Sequence, residues 1–192
     1  MRVDLHTATM PAPRIAAAAV PAPWGVIHVA ASSRGVVACE SLTPWEPFVD
    51  GLERRFQTTV APGGSRILAQ AVAELEAWLE GTRHDFDVAI DLADRPAWDQ
   101  QVLGAVAEIP WGATASYAEI ARRVDRPGAA RAVGGAVGRS PIGIIVPCHR
   151  VIGADGTLRG YGGGWLGSLE DGLDLKRELL LREGLEVPRA RG

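Results

Sequence analysis

The hydrophobic period of this chain changes across the segment Asp91–Pro96. Before it, short β-favouring runs occupy Arg14–Val20, Trp24–Ala31, Gly35–Cys39 and Phe86–Leu92. Pro21-Ala22-Pro23 joins the first two as a hairpin, and Ser32-Ser33-Arg34-Gly35 turns the chain into the third. One helical stretch lies among them, Ser65–Leu79, with apolar residues at Ile67, Leu68, Ala71, Val72, Leu75, Trp78 and Leu79. Ser65 fits its N-cap and Gly81 its stop. Beyond Pro96 the spacing is helical. Trp98–Ile109 ends at Pro110, and Ser116–Val124 opens on a capping box of Ser116 and Glu119. Pro127–Val137 follows the tight turn Asp125-Arg126, with Pro127 in the first helical turn, where proline is tolerated. Two helices about a short turn fit a helix-turn-helix and a plain αα-hairpin equally well. The expected organisation is an α/β domain over residues 1–92 with a loose arm at 1–13, a linker at 93–97, and a mainly α domain over 98–192.

With 47% hydrophobic and 22% charged residues, 192 residues can bury a sizeable core. The net charge of −3 excludes a globally basic nucleic-acid binder. Its distribution is uneven: from Arg122 to Arg159 seven arginines face only Asp125 and Asp155. Such a stretch fits either a solvated helix face or a surface for an anion. Lys176 is the only lysine among twenty basic residues, a hint that an ammonium is needed there. Two distant cysteines, Cys39 and Cys148, cannot build a multi-bridge framework, so free thiols and a cytoplasmic setting are expected. No apolar run is long enough for a membrane span, and Ala16–Val20 is too short for a signal sequence. His6, His28, His84 and Cys39 are scattered without paired ligand spacing, so no metal and no cofactor is expected.

The chemistry concentrates in Ile144-Ile145-Val146-Pro147-Cys148-His149-Arg150-Val151. A thiol beside an imidazole is a nucleophile beside a base, but a free cysteine is only a few per cent ionised at neutral pH. In an extended strand the two side chains point to opposite faces, so direct contact cannot be assumed. Alone, the pair also fits inert core.

The ordered set is more specific than any of its pieces. Ile109-Pro110-Trp111-Gly112, Ser116-Tyr117-Ala118-Glu119-Ile120-Ala121, Ala129-Ala130-Arg131-Ala132-Val133-Gly134, Pro147-Cys148-His149-Arg150-Val151 and Gly160-Tyr161 occur in sequence. With Lys176 and Leu179-Leu180-Leu181-Arg182-Glu183-Gly184, they closely resemble the O6-alkylguanine-DNA alkyltransferases over about Trp98 to Gly184. The resemblance implies a ribonuclease-H-like small sheet plus helix in the first half. It implies a winged-helix-like helix-turn-helix domain in the second.

It also implies a function: stoichiometric, irreversible transfer of an alkyl group from O6 of guanine onto Cys148, with O4 of thymine left open as a second donor. The implied catalytic set is Cys148 as acceptor, His149 as base working through a water, Glu183 polarising His149, and Tyr117 and Lys176 assisting the departing guanine. The implied DNA-binding set is Ser116, Tyr117, Ala129, Ala130, Arg131, Gly134 and Arg139, with Arg131 filling the space of a flipped base. The implied substrate pocket is Val146, Pro147, Tyr161, Gly162 and Trp165. The partner is then duplex DNA bearing O6-alkylguanine, bound by a monomer, with cooperativity along DNA left open. Three departures from the family pattern stand out. Ser140-Pro141 replaces a usual Asn-Pro, Gly162 stands where serine is common, and residues 165–172 are an insertion. Trp165, Leu166 and Leu169 in that insertion fit a mobile lid, a partner contact, or a tolerated surface loop. Competing readings are a non-catalytic protein that flags lesions, as in alkyltransferase-like relatives lacking the thiol, a sequence-specific regulator, and a thiol hydrolase. Cys148 argues against the first, the scarcity of base-reading side chains against the second, and the lack of an oxyanion-hole signal against the third.

Overall fold

A computed structural model describes residues 14–62, 64–162 and 168–186; the expected arm at 1–13 lies outside them. Strands β1 (Ile15–Ala22), β2 (Gly25–Ala31) and β3 (Val36–Ser41) form an antiparallel meander. Its register sets Ala16 opposite Ala31 and Val20 opposite Ile27. After helix α1 (Trp45–Phe56), the short β4 (Val60–Pro62) pairs parallel to β1, giving the order β3-β2-β1-β4. Alternation along the strands splits the side chains between two faces. Ala16, Val20, Ile27 and Val29 pack with Leu68, Ala71, Leu75 and Trp78 of α2 (Arg66–Leu79). Ile15, Ala17, Ala30 and Val37 pack with Phe48 and Leu52 of α1. Ser65 caps α2, its side chain accepting from Leu68 N–H.

The α2-side cluster does not stop at the sheet. It continues through Val102, Leu103 and Val106 of α3 (Ala97–Ala107), Ile120 and Ala121 of α4 (Tyr117–Arg123), and Val133 and Ala136 of α5 (Ala130–Gly138). The two halves therefore share one core. They are also joined through the backbone at the outer edge of β3. Cys39 N–H donates to Pro141 C=O, and Gly143 N–H donates to Cys39 C=O, both at 2.8 Å. Farther along come a two-stranded parallel pair, β5 (Ala115–Ser116) with β6 (Val151–Ile152), and a C-terminal helix α6 (Leu169–Arg182).

Several expectations are corrected. The strand over Phe86–Leu92 is one isolated bridge, Val36 to Ile90. Instead of a strand partner, the buried Glu74 carboxylate takes the Asp87 and Val88 N–H groups at 2.9 and 3.1 Å. The third helix starts at Ala130 rather than Pro127, because the turn before it holds Asp125 and Gly128 at positive φ (55° and 95°). Helical geometry cannot begin until the chain has left those residues. Helix α1 and strand β4 are further findings of the structure: Trp45, Phe48, Val49, Leu52 and Phe56 recur at helical spacing on one face of α1, but Pro47 and Gly51 interrupt its propensity, and β4 has only three residues. Among the described residues no helix is long and apolar enough to cross a membrane.

Gly35 is where β3 meets the 89–91 segment. A Cβ there would lie 2.6 Å from Ile90 C and 2.8 Å from both Ala89 O and Asp91 N, all backbone atoms. Gly35→Ala should therefore cost ~1–3 kcal/mol, the usual range for overpacking, read as a lowered urea midpoint. A midpoint equal to the parent's would show that the 89–91 segment yields freely.

Candidate active site

Between α5 and β6 the chain runs through a strained passage. Ile144 has φ 64°, rare for a β-branched residue, and Ile145 N–H closes a tight turn onto Gly143 C=O at 2.7 Å. Cys148–Arg150 is then a 3₁₀ turn, not the strand end expected, with Cys148 N–H bonded to Val146 C=O at 2.7 Å. A 3₁₀ turn does not send Cys148 and His149 to opposite faces of a sheet, so the side-chain argument from strand geometry does not apply here.

Cys148 is 4% exposed and forms part of the wall of a cleft of about 790 Å³. Tyr117, Ala130, Arg131 and Gly134 of the helix pair line it, as do Arg159, Tyr161 and Gly162 of the following loop. Burial pushes the thiol up to about 11, while the Ser140 hydroxyl and the Lys176 charge pull the other way. At neutral pH the thiol is then protonated, so attack requires a base to take the proton.

His149 is fully buried, and its Nε2 lies 2.7 Å from Glu183 Oε1. Burial lowers its pKa more than the Glu183 carboxylate raises it, so the ring is neutral. With the Nε2 proton on the Glu183 side, Nδ1 carries the lone pair, and it has no hydrogen-bond partner among the described residues. Glu183 is itself held by Arg150, whose Nε reaches Oε2 at 2.8 Å and whose Nη2 reaches Oε1 at 2.9 Å. The His149 and Arg150 hydrogen bonds keep its carboxyl below the ordinary range despite burial. Arg150 Nη1 also donates to Ile109 C=O at the end of α3.

Lys176 stands behind the cleft, not on its wall. Its ammonium is 0% exposed and donates to Val151 C=O at 2.6 Å and Gly160 C=O at 3.1 Å. Desolvation lowers it to about 8. Lys176 therefore fixes the Gly160 loop and adds positive charge near the sulfur. Tyr117, the first residue of α4, lines the cleft, and burial raises its hydroxyl, which stays a donor.

Other expected residues fall elsewhere. Ser116 spends its hydroxyl in the capping box of α4, accepting from Glu119 N–H and donating to Glu119 Oε2. Arg139 is bound twice by Asp99, at 2.7 and 3.0 Å, and does not line the cleft. Ala129 is the N-cap residue of α5, outside the cleft lining. Val146 and Pro147 border a separate cavity with His84, Phe86 and Ile144, and the Val146 carbonyl is already used by Cys148 N–H. Part of the expected insertion is helical. Ser168 caps α6 in a capping box with Asp171, so Leu169 begins a helix and, 68% exposed, forms part of the cleft rim. Trp165 and Leu166 lie outside the described residues.

Known proteins are similar to this chain in sequence and in fold. The family described as "6-O-methylguanine DNA methyltransferase, DNA binding domain" matches residues 97–185. The methylated-DNA–protein-cysteine methyltransferase of Mycolicibacterium paratuberculosis is 47% identical over 123 residues, 64% of this chain and 69% of the relative. This chain belongs to the methylated-DNA–protein-cysteine methyltransferase family. The crystal structure of the Mycobacterium tuberculosis O6-methylguanine methyltransferase superposes with TM-score 0.71 at 39% identity, covering 91% of this chain and 95% of that one. The structure of Mycobacterium tuberculosis OGT in complex with DNA matches with TM-score 0.70 at 38% identity, covering 88% and 92%.

Within this family member, sequence reasoning passed over Arg150 and Arg159. A signal for Arg150 existed: an arginine beside a buried-looking Cys-His pair needs a carboxylate, and Glu183 was at hand. Glu183→Gln leaves Arg150 buried with no anion and should cost about 3–5 kcal/mol in urea unfolding. The folded pKa of Glu183 is depressed, so its stabilisation is present above the ordinary carboxylate range and is lost as pH falls through the folded value. The loss caused by Glu183→Gln should accordingly shrink on acidification. A loss that is constant with pH would show that the carboxylate charge is not what stabilises. For Lys176→Met, the Cys148 thiol should titrate higher than in the parent, followed by thiolate ultraviolet absorbance. An unmoved titration would remove Lys176 from the thiol's electrostatics.

Proposed function

We propose that this chain repairs DNA by direct reversal, moving an alkyl group from O6 of guanine onto the sulfur of Cys148. The observation that carries this reading is the position of that sulfur. It is nearly buried, part of a cleft whose wall also carries Arg131 and Tyr117 from a helix pair. A base stacked in a duplex cannot reach such a sulfur, so the nucleotide must flip out. Arg131, exposed on α5, is suited to occupy the space left in the stack.

The step balances with groups of the protein. The Cys148 sulfur forms a bond to the alkyl carbon as the carbon–O6 bond breaks, and that electron pair stays on guanine. The thiol proton goes to His149 Nδ1, directly or through a water, and the Glu183 carboxylate stabilises the imidazolium that results. The Tyr117 hydroxyl donates to the base as negative charge develops on it. A thioether has no easy route back, so each molecule acts once. The binding partner is duplex DNA carrying O6-alkylguanine, taken up by a single copy of the chain.

Intact-mass measurement after incubation with an O6-methylguanine duplex should show one methyl group per molecule, on Cys148, and none on Cys148→Ala. A parent protein that clears many lesions per molecule, or binds them without gaining mass, would overturn the reading, and binding without mass gain would favour a lesion-flagging role. Arg131→Ala should slow repair of duplex at least tenfold more than reaction with free O6-benzylguanine. Equal losses on both substrates would take Arg131 out of base flipping.

A further inference from the structure

Among the described residues two guanidiniums line the cleft, and one of them, Arg131, is on the helix pair. The other, Arg159, comes from the loop between β6 and α6. That loop is built to hold it. Gly153 N–H donates to Thr157 C=O at 2.8 Å and Gly156 N–H to Gly153 C=O at 2.9 Å, closing a compact turn. Asp155 sits at its centre: Oδ1 takes the Thr157 hydroxyl at 2.7 Å, and Oδ2 takes Arg159 Nη2 at 2.6 Å. The pair folds back over Gly153, where a Cβ would collide with Asp155 Oδ1 and lie 3.0 Å from Arg159 Nε. The next residue, Gly160, is anchored through its carbonyl to the buried Lys176.

This bracing does not serve stability alone. The Arg159 and Asp155 side chains are 59% and 52% exposed, and an exposed ion pair contributes little to folding. What the loop achieves is to present a guanidinium, already oriented by a carboxylate, beside Tyr117 and Tyr161 on the cleft wall. A guanidinium fork matches two oxygens of a phosphate, and an exposed pair with Asp155 exchanges readily for it.

We propose that Arg159 binds a DNA backbone phosphate next to the flipped nucleotide, a phosphate-contacting residue outside the helix-turn-helix. This rests on the alkyl-transfer reading above. A phosphate fits better than a negatively charged alkyl adduct, because the adduct must reach the nearly buried sulfur whereas Arg159 stands largely in solvent.

The test uses Arg159→Ala and Arg159→Lys in the full chain, with binding to an unmodified duplex measured over a series of salt concentrations. Arg159→Ala should weaken binding about three- to tenfold and reduce the slope of log Kd against log salt by about 1, as expected when a single phosphate is no longer neutralised. Lysine should restore the slope but only part of the affinity. Single-turnover transfer from an O6-methylguanine duplex should fall more in Arg159→Ala than transfer from free O6-benzylguanine. A salt slope equal to the parent's would overturn the proposal, as would equal losses on both substrates, which would make Arg159 only a brace of the loop. A loss confined to duplex carrying O6-carboxymethylguanine would also overturn it and assign the guanidinium to an anionic adduct. Because the salt series needs no alkyl transfer, its outcome stands apart from that of the mass experiment on the parent protein.

Discussion

The Glu183 carboxylate is the point at which fold and chemistry meet. Its residue stands at the C-cap position of α6, almost wholly buried, and the carboxylate shares its two oxygens between His149 and Arg150, with Gly112 N–H approaching at 3.4 Å. Arg150 carries the link on to the end of α3 through Ile109 C=O. One anion thus ties the last helix, the 3₁₀ turn and the first helix of the C-terminal half. Buried ion pairs are costly to desolvate, and their net contribution to stability is small or negative unless every lone pair is used. Here the hydrogen bonds use them. What results is a fixed imidazole: Nε2 is tied to the carboxylate, and the lone pair of Nδ1 is left for a proton.

Around that anchor the site balances concealment against reactivity. The thiol is kept protonated by burial, which protects it from adventitious chemistry, and the nearby hydroxyl and ammonium together with a backbone hydrogen bond oppose that effect. The passage leading to it is short and constrained, with the left-handed Ile144 and two tight turns between Gly143 and Cys148. That geometry is supported from the other half of the molecule. Gly143 is pinned to Cys39, and the hydroxyl of Tyr161 would stand 3.1 Å from a Cβ at that glycine. Strain of this kind persists only where neighbours over-determine it.

How far the sequence discloses this depends on the range of each interaction. Caps are local, so Ser65 and the Ser116–Glu119 box stand where their spacing places them. Ser168 and Asp171 have the same kind of signature, but they are embedded in an inserted stretch read as loop, and the helix start there is a finding of the structure. The hairpin at Pro21–Pro23 was readable from its turn residues; the 86–92 segment was not, because beyond its single bridge to Val36 its N–H groups at Asp87 and Val88 go to a glutamate on α2. At the site, an ordered set of short motifs gathers Cys148, His149, Tyr117, Arg131 and Glu183. It cannot tell which of two faces of the Val146-Pro147 turn looks into the cleft, nor that Arg139 is engaged by Asp99. Those are competitions between partners, decided only once the chain is packed.

The solitary lysine has a last consequence for anyone handling the molecule. Every other cationic side chain is a guanidinium, and the single ε-amine in these 192 residues is sealed beneath the β6–α6 loop. Acylating reagents that seek side-chain amines therefore find none on the native surface. Modification at Lys176 would register moments when this loop lifts away from α6, a built-in gauge of opening that needs no engineered label.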